Sequence, residues 1–190
     1  MNKKMKTLLG LLAFAVLITA SVFAYNGLQN RVDPPDSLIL MNTDADEEIP
    51  NALPPAYDFT VLDIDGNEVQ LSDFFGKPIV LNFWTTWCPS CVRSSPYFEQ
   101  LYREMSDEIH VLKVNLLDGQ RETLQTVDRF ISANDYTLPI LFDMTGEASR
   151  AYGIRSIPDT VFINAEGYIT ARIIGAINEH TLQEGINSMN

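Results

Sequence analysis

Short apolar runs alternate with amphipathic stretches through residues 54–190. Residues 59–63 and 68–71 flank Asp65-Gly66, a pair typical of tight turns, and this arrangement predicts a hairpin of two strands. Residues 79–84 and 109–117 are almost continuously apolar and predict buried central strands. Further strands are predicted at 139–142, 160–164 and 168–174, and helices at 89–105, 121–134, 146–152 and 178–188. Strands alternating with helices predict an α/β fold in which a mixed central sheet is flanked by helices.

Helical spacing of apolar residues also predicts which faces of two helices are buried. In the helix at 89–105, Val92, Pro96, Leu101 and Met105 are expected to point to the core, and Pro96 is expected to kink the helix. The helix at 121–134 shows the same spacing. Its predicted core residues are Leu124, Val127, Phe130 and Ile131.

The N-terminus has the pattern of an export signal. Lys3, Lys4 and Lys6 precede a largely apolar stretch at residues 8–23, which predicts that the lysines stay inside and the following domain lies outside the membrane. Val22-Phe23-Ala24 suits cleavage after Ala24, yet the stretch approaches the roughly 17 residues that span a bilayer. Residues 1–24 are therefore a cleaved signal peptide or a membrane anchor through residues 8–24, and the anchor is favoured.

Residues 25–53 are predicted to be an extended tether, because they contain several prolines and an acidic run at 44–48. Residues 37–41 are too few to form a core of their own, although an ordered N-terminal arm is the alternative. The remaining residues, 54–190, form one predicted domain of ordinary size.

The charge of the chain excludes one class of partner. The net charge is −12, and because the first 24 residues contribute three lysines and no acidic residue, the rest of the chain carries −15. Binding of nucleic acid requires a basic surface. We therefore expect no nucleic-acid partner.

The two cysteines of the chain, Cys88 and Cys91, lie after a predicted strand and at the start of a predicted helix. Unpaired backbone N–H groups and the helix dipole favour a negative charge there, so the Cys88 thiol is expected to be acidic and nucleophilic. Cys91 follows one helical turn later on the same face, where it can resolve a mixed disulfide on Cys88. Trp87 and Pro89 are expected to form an apolar rim around the sulfur. The two sulfurs supply the chemistry themselves, so no cofactor and no metal are expected.

Four alternative roles for the cysteine pair agree less well with the sequence. A zinc site needs about four ligands, but the histidines are only His110 and His180, and there is no second Cys-x-x-Cys. Attachment of haem requires a histidine where Val92 stands. A peroxidatic cysteine is suggested by Thr85, but a leucine occupies the position where peroxiredoxins have proline. Two inert buried cysteines would poorly explain a single close pair in an exported chain.

Residues 83–91, Phe-Trp-Thr-Thr-Trp-Cys-Pro-Ser-Cys, resemble the active-site strand and helix of the thioredoxin superfamily. The closest similarity is to membrane-tethered TlpA/ResA-type thiol–disulfide oxidoreductases. It includes the segment that leads to the active site at 71–78, the helix-and-strand insertion at 118–143, and the proline loop with the residues after it at 157–167. The resemblance covers residues 54–190. It implies a thioredoxin-like fold with an N-terminal hairpin and a central helix-strand insertion.

The resemblance also implies the role of a second segment. Pro158 would be a cis proline beside the cysteines, and Ile157 would offer its backbone to an extended substrate. Two positions depart from the relatives. Asn82 stands where thioredoxin has a buried aspartate, and Ser94 stands where some relatives have a glutamate. The proton acceptor for Cys91 is therefore unassigned.

The leading functional hypothesis is a membrane-attached reductase of disulfides in exported proteins. The resemblance suggests apocytochrome c as substrate and a membrane thiol-transfer protein as electron donor. A disulfide-introducing oxidant would use the same chemistry in reverse. A peroxidase and a polypeptide-binding module without redox chemistry are the other two hypotheses.

Overall fold

The computed structural model describes residues 38–40 and 53–190. Eight strands form one sheet in the order β1-β8-β7-β4-β5-β6-β2-β3. The strands are β1 Leu38–Leu40, β2 Thr60–Leu62, β3 Glu68–Gln70, β4 Ile79–Trp84, β5 His110–Asn115, β6 Ile140–Phe142, β7 Asp159–Ile163 and β8 Ile169–Ile174. The pairs β4–β5 and β5–β6 are parallel and the other pairs are antiparallel, which confirms the predicted mixed sheet.

Within the described residues, four α-helices and one 3-10 turn cover the two faces of the sheet. They are the 3-10 turn Leu71–Phe74, α1 Pro89–Met105, α2 Leu124–Ala133, α3 Glu147–Ala151 and α4 Glu179–Asn187. Buried side chains of α1, α2 and α4 belong to the hydrophobic cluster on one face, and those of the 3-10 turn and α3 to the cluster on the other. Helix α4 approaches the sheet so closely that a Cβ atom on Gly185 would overlap the Phe162 ring.

The central strand β4 is buried along its whole length, because every residue from Ile79 to Trp84 has helices or neighbouring strands around it. Its alternate residues Val80 and Trp84 pack in the α1 cluster, whereas Leu81 and Phe83 pack in the other. A fully buried strand explains the continuous apolar run in the sequence. Since α1 begins five residues after β4 ends, the sheet fixes where α1 starts.

The hairpin β2–β3 and the bounds of β4 and α1 agree with the sequence-based predictions, and Gly66 adopts a positive φ of 83° in the hairpin turn. The fifth strand is shorter than predicted, ending at Asn115. Two predicted core residues are wrong, because Pro96 is exposed and Leu124 is half exposed. In α1 the buried positions include Cys91, Ser95 and Phe98 instead. Because serines occupy part of the buried face, the spacing of apolar residues alone did not show which face is buried.

The predicted tether contains β1, which pairs antiparallel with β8 at the edge of the sheet. The rest of the stretch up to residue 52, and the stretch 8–24 that carries the export signal, lie outside the described residues. Within residues 38–40 and 53–190, no helix is long and apolar enough to cross a membrane.

Candidate functional site

The cysteine pair lies at the N-terminus of α1, where β4 leads into the helix. Cys88 is the N-cap residue with an extended backbone. Pro89 occupies the first turn, where a backbone N–H has no partner within the helix, so the missing N–H of proline costs no hydrogen bond. The backbone N–H of Cys91 donates to Cys88 Sγ over 3.2 Å. A helix start therefore directs a backbone donor and the positive end of its dipole at this sulfur.

Cys88 and Cys91 are joined by a disulfide, with their Cα atoms 5.2 Å apart. Cys88 is 5% exposed and Cys91 is 1% exposed, so the first sulfur is the one nearer to solvent. Trp87 is 40% exposed, and Pro89 is exposed as well. The two residues flank Cys88 in the chain, and they present apolar surface to solvent next to a nearly buried disulfide.

A second segment, Ile157 and Pro158 directly before β7, lies beside the disulfide. The Ile157–Pro158 peptide bond is cis, as the resemblance implied. The carbonyl oxygen of Ile157 lies 3.6 Å from Cys88 Sγ, and Pro158 is buried. The carbonyl of Pro158 accepts a hydrogen bond of 2.8 Å from the backbone of Gly175. Tertiary structure therefore brings Ile157 and Pro158 to the cysteine pair from 66 or more residues away in the sequence.

The side chains of Asn82 and Ser94 are neutral and hydrogen-bonded. The side-chain amide of Asn82 donates to Thr160 Oγ1 over 3.0 Å, across the β4–β7 pair. Ser94 Oγ donates to the Ser90 carbonyl and accepts from the backbone N–H of Ile177. Both side chains have partners, and neither changes its charge with pH.

A buried glutamate that sequence reasoning missed holds the loop before Cys88. Glu122 is fully buried, and its carboxylate accepts from the backbone N–H and the hydroxyl of Thr86 over 2.7 and 2.6 Å. It also accepts from the side-chain amide of Asn115 over 2.6 Å. The sequence analysis places Glu122 in the first turn of the helix predicted at 121–134, but α2 begins only at Leu124, and nothing local indicates that the preceding loop folds back under Thr86.

The same loop places a cation beside the site. The guanidinium carbon of Arg121 lies 4.2 Å from the centre of the Trp87 ring, a cation–π contact between exposed groups. Beyond Glu122, an open groove of about 580 Å³ has Leu124 and Met144 among its lining residues. Both are about half exposed. The groove is therefore formed mainly by the insertion that follows β5.

The histidines of the chain have other neighbours. His110 packs edge-on against Phe74, and His180 lies 3.6 Å from Glu184 within α4. Among residues 38–40 and 53–190, no group of three or more histidine, cysteine or acidic side chains is arranged to hold a metal ion.

Comparison with known proteins identifies the family. The model of the AhpC/TSA family matches residues 54–172. The thiol-disulfide oxidoreductase ResA of Halalkalibacterium halodurans is 34% identical over 141 residues, which are 74% of this chain and 78% of that protein. The sporulation thiol-disulfide oxidoreductase A of Bacillus subtilis is 34% identical over 127 residues, covering 66% of this chain and 76% of the relative.

Two solved structures share the fold. The structure of StoA from Bacillus subtilis matches with a TM-score of 0.60 and 33% identity, over 71% of this chain and 99% of the other. The exposed lipoprotein thioredoxin Etrx1 of Streptococcus pneumoniae matches with a TM-score of 0.60 and 30% identity, over 68% and 98% of the two chains. With its thioredoxin-like sheet and its Cys-Pro-Ser-Cys disulfide, the chain belongs to the AhpC/TSA family and is a thiol–disulfide oxidoreductase of the ResA/StoA type.

Proposed function

We propose that this oxidoreductase works outside the cytoplasmic membrane and reduces disulfides of exported proteins, with Cys88 as nucleophile and Cys91 as resolving thiol. The observation that carries the proposal is the surroundings of the Cys88 sulfur. It receives the N–H of Cys91 at a helix start and lies beside the Ile157 carbonyl of the cis-proline segment. The N–H donor and the helix start stabilise a thiolate, and the Ile157 carbonyl marks a backbone edge beside the sulfur that a polypeptide can reach.

The reaction conserves atoms and electrons in two exchange steps. The Cys88 thiolate attacks one sulfur of the substrate disulfide, and the other substrate sulfur leaves as a thiolate that takes a proton from water. Cys91 then loses its proton and attacks Cys88 Sγ, which breaks the bond to the substrate and releases a second substrate thiol. Two electrons pass to the substrate, and the enzyme is left with the Cys88–Cys91 disulfide.

Trp87, Pro89, Ile157 and Pro158 are proposed to bind the substrate. Trp87 and Pro89 offer apolar contact beside the sulfur. Among the hydrogen bonds of the described residues, the backbone N–H of Ile157 takes part in none, so an extended chain can pair with it as a strand pairs with a sheet edge. Pro158 has no N–H that could compete for the thiolate.

The site of action is proposed from the N-terminal sequence. Residues 1–24 direct the chain outward as an anchor or cleaved signal, residues 25–53 act as a tether whose residues Leu38–Leu40 pair with the sheet, and residues 54–190 form the working domain. The name of the pneumococcal structure, an exposed lipoprotein thioredoxin, supports an extracytoplasmic place for this fold. A membrane thiol-transfer protein then supplies the electrons that reduce the Cys88–Cys91 disulfide again. Apocytochrome c is the first substrate to test in a reduction assay.

The assignment of the two cysteines is tested by trapping. In full-length protein expressed in cells, Cys91→Ala is expected to accumulate mixed disulfides with exported proteins, because nothing resolves the bond on Cys88. Cys88→Ala is the matched control and should trap none. Adducts are separated on non-reducing gels and identified by mass spectrometry. Adducts on Cys88→Ala alone, or faster alkylation of Cys91 than of Cys88 in the reduced protein, would contradict the assignment.

A further inference from the structure

Two exposed arginines contact residues that flank the cysteines. Arg93, in the second turn of α1, donates to the hydroxyl of Ser90 over 2.9 Å, and Ser90 lies between the two cysteines in the chain. The guanidinium carbon of Arg121 lies 4.2 Å from the ring centre of Trp87, which directly precedes Cys88. Each contact holds a positive charge at the edge of the same disulfide.

A third exposed arginine lies on the cis-proline segment. Arg155 is two residues before Ile157, whose carbonyl oxygen lies 3.6 Å from Cys88 Sγ. Among the hydrogen bonds of the described residues, the backbone N–H of Ile157 takes part in none. The helix start, the loop that covers Trp87 and the cis-proline segment therefore contribute one arginine each to the surroundings of the disulfide.

None of these three arginines has an acidic partner in the part of the chain that the structure describes. No carboxylate there lies within 4.0 Å of their guanidinium groups, whereas Arg103 pairs with Glu99 and Arg172 pairs with Asp159. A guanidinium has several N–H donors arranged to meet a carboxylate side by side. The three groups are therefore free to bind carboxylates of another molecule.

The acidic residues on the same segments do not cancel this charge. Residues 86–93 contain none. Glu122 and Asp159 are buried and hydrogen-bonded within the domain. Asp118 is exposed, but its Oδ1 atom accepts the backbone N–H groups of Gln120 and Glu122, both over 2.8 Å. Positive charge therefore predominates at the surface around the disulfide.

This local charge is opposite to that of the domain. Residues 53–190 contain 19 acidic and 9 basic side chains, which gives a net charge of −10. A domain of that charge repels acidic polypeptides in general, but a basic surface around its reactive disulfide attracts them to that one place.

We propose that Arg93, Arg121 and Arg155 select substrate polypeptides in which acidic residues flank the target disulfide. The inference rests on the proposed function and adds the chemistry of its substrate. Carboxylates on the two sides of the disulfide accept from the guanidinium groups, and the extended backbone pairs with the N–H of Ile157. A polypeptide is favoured over a small anion, because it can also cover the exposed ring of Trp87.

The first experiment compares three model peptides that share one intramolecular disulfide and differ in the residues beside it, which are glutamate, glutamine or lysine. Full-length reduced protein in a neutral detergent reduces each peptide, and the second-order rate constant is measured. We expect the glutamate peptide to react about tenfold faster than the glutamine peptide in about 10 mM salt and less than about twofold faster in about 1 M salt, because salt screens exposed charges. Equal rates for the three peptides in low salt would overturn the proposal.

The second experiment removes the arginines. In a variant that combines Arg93→Gln, Arg121→Gln and Arg155→Gln, the glutamate-to-glutamine rate ratio is expected to fall to less than about twofold in low salt. Lys77→Gln, which removes an exposed charge at the opposite end of β4 from Cys88, is the control and should keep the ratio. The ratio is the measured quantity, because a change in the reactivity of the Cys88 sulfur alters the rates with both peptides equally. A ratio that the combined variant retains would contradict the proposal.

The substrate preference and the direction of the reaction can fail separately. If the enzyme introduces disulfides instead, its oxidised form is mixed with the dithiol forms of the same peptides, and faster oxidation of the glutamate peptide supports the role of the arginines. Reduction of all three peptides at equal rates leaves the proposed function intact and removes that role. A preference for oxidised glutathione that needs the arginines, without any preference among the peptides, would assign them to a small anionic disulfide and overturn the proposal.

Discussion

Single buried polar residues hold the loop that presents Cys88. Glu122 accepts three hydrogen bonds from Thr86 and Asn115, all shorter than 2.8 Å, and it is fully buried. Hydrogen bonds to a carboxylate are about twice as strong as those between neutral groups. The carboxylate thus joins the end of β5 to the residues between β4 and α1, and it fixes the approach of Trp87 to the site.

Replacing the carboxylate is expected to destabilise the fold. In Glu122→Gln an amide NH₂ group faces the donors of Thr86 or Asn115, so at least one buried donor loses its acceptor. We expect the free energy of unfolding in urea to fall by about 1–3 kcal/mol. Glu166→Gln, in an exposed turn, is the matched control and should change it by less than about 0.5 kcal/mol. Equal stability of the two variants would show that Thr86 does not depend on Glu122.

At the scale of elements, one side chain ties α1 to the insertion before β6. Glu99 accepts from the backbone N–H groups of Thr137 and Leu138 and from the Thr137 hydroxyl, and Arg103 donates to it over 2.6 Å. Burial by itself raises the pKa of Glu99. The hydrogen bonds from Thr137, Arg103 and Leu138 together outweigh this effect, and the pKa ends below its ordinary value of 4.5.

The stabilisation by Glu99 is expected to depend on pH with a defined sign. Because the pKa is lower in the folded state, the contribution is complete above the unfolded value near 4.5 and is lost as the pH falls through the folded value. Glu99→Gln should therefore lower the unfolding free energy by about 1.5–3 kcal/mol at pH 7 and by less at pH 3. Glu104→Gln, exposed on the same helix, is the control. A Glu99→Gln deficit that is equally large at both pH values would refute this account.

At the scale of the whole molecule, the N-terminal signal makes a prediction about where the domain works. Lys3, Lys4 and Lys6 before the apolar stretch are expected to keep the N-terminus inside and send the C-terminus out. A reporter enzyme that is active only outside the cytoplasm should therefore be active when fused after Asn190. Changing the three lysines to glutamate should reduce that activity, and activity of a cytoplasm-dependent reporter alone would contradict the orientation.

The direction of electron flow depends on the reduction potential of the Cys88–Cys91 couple. Asn82 and Ser94 are neutral and the chain is acidic, so little besides the helix start stabilises the Cys88 thiolate. We expect a potential nearer about −270 mV than about −120 mV, measured by equilibration in glutathione and dithiothreitol buffers. A value near −120 mV would make the disulfide-introducing oxidant the leading hypothesis.

The sequence alone was sufficient for the parts of the fold that depend on local pattern. The hairpin around Asp65-Gly66, the buried strand β4 and the full length of α1 were predicted, because turn chemistry, apolar runs and the placement of Pro89 act over a few residues. The cysteine pair at the helix start was predicted for the same reason. The resemblance to known relatives, and not the pattern, supplied the cis bond before Pro158.

Only the tertiary structure decided which polar residues are buried. Glu122 resembles an ordinary surface residue in the sequence, and its burial depends on a folded-back loop. Lys113 lies within a predicted buried strand, but only the fold shows that its side chain is covered by α1. Leu124 fits an apolar face, yet it is half exposed because it lines an open groove. The physical reason is that the free energy of a buried charge depends on all the neighbours that remove it from water, and those neighbours lie far away in the sequence.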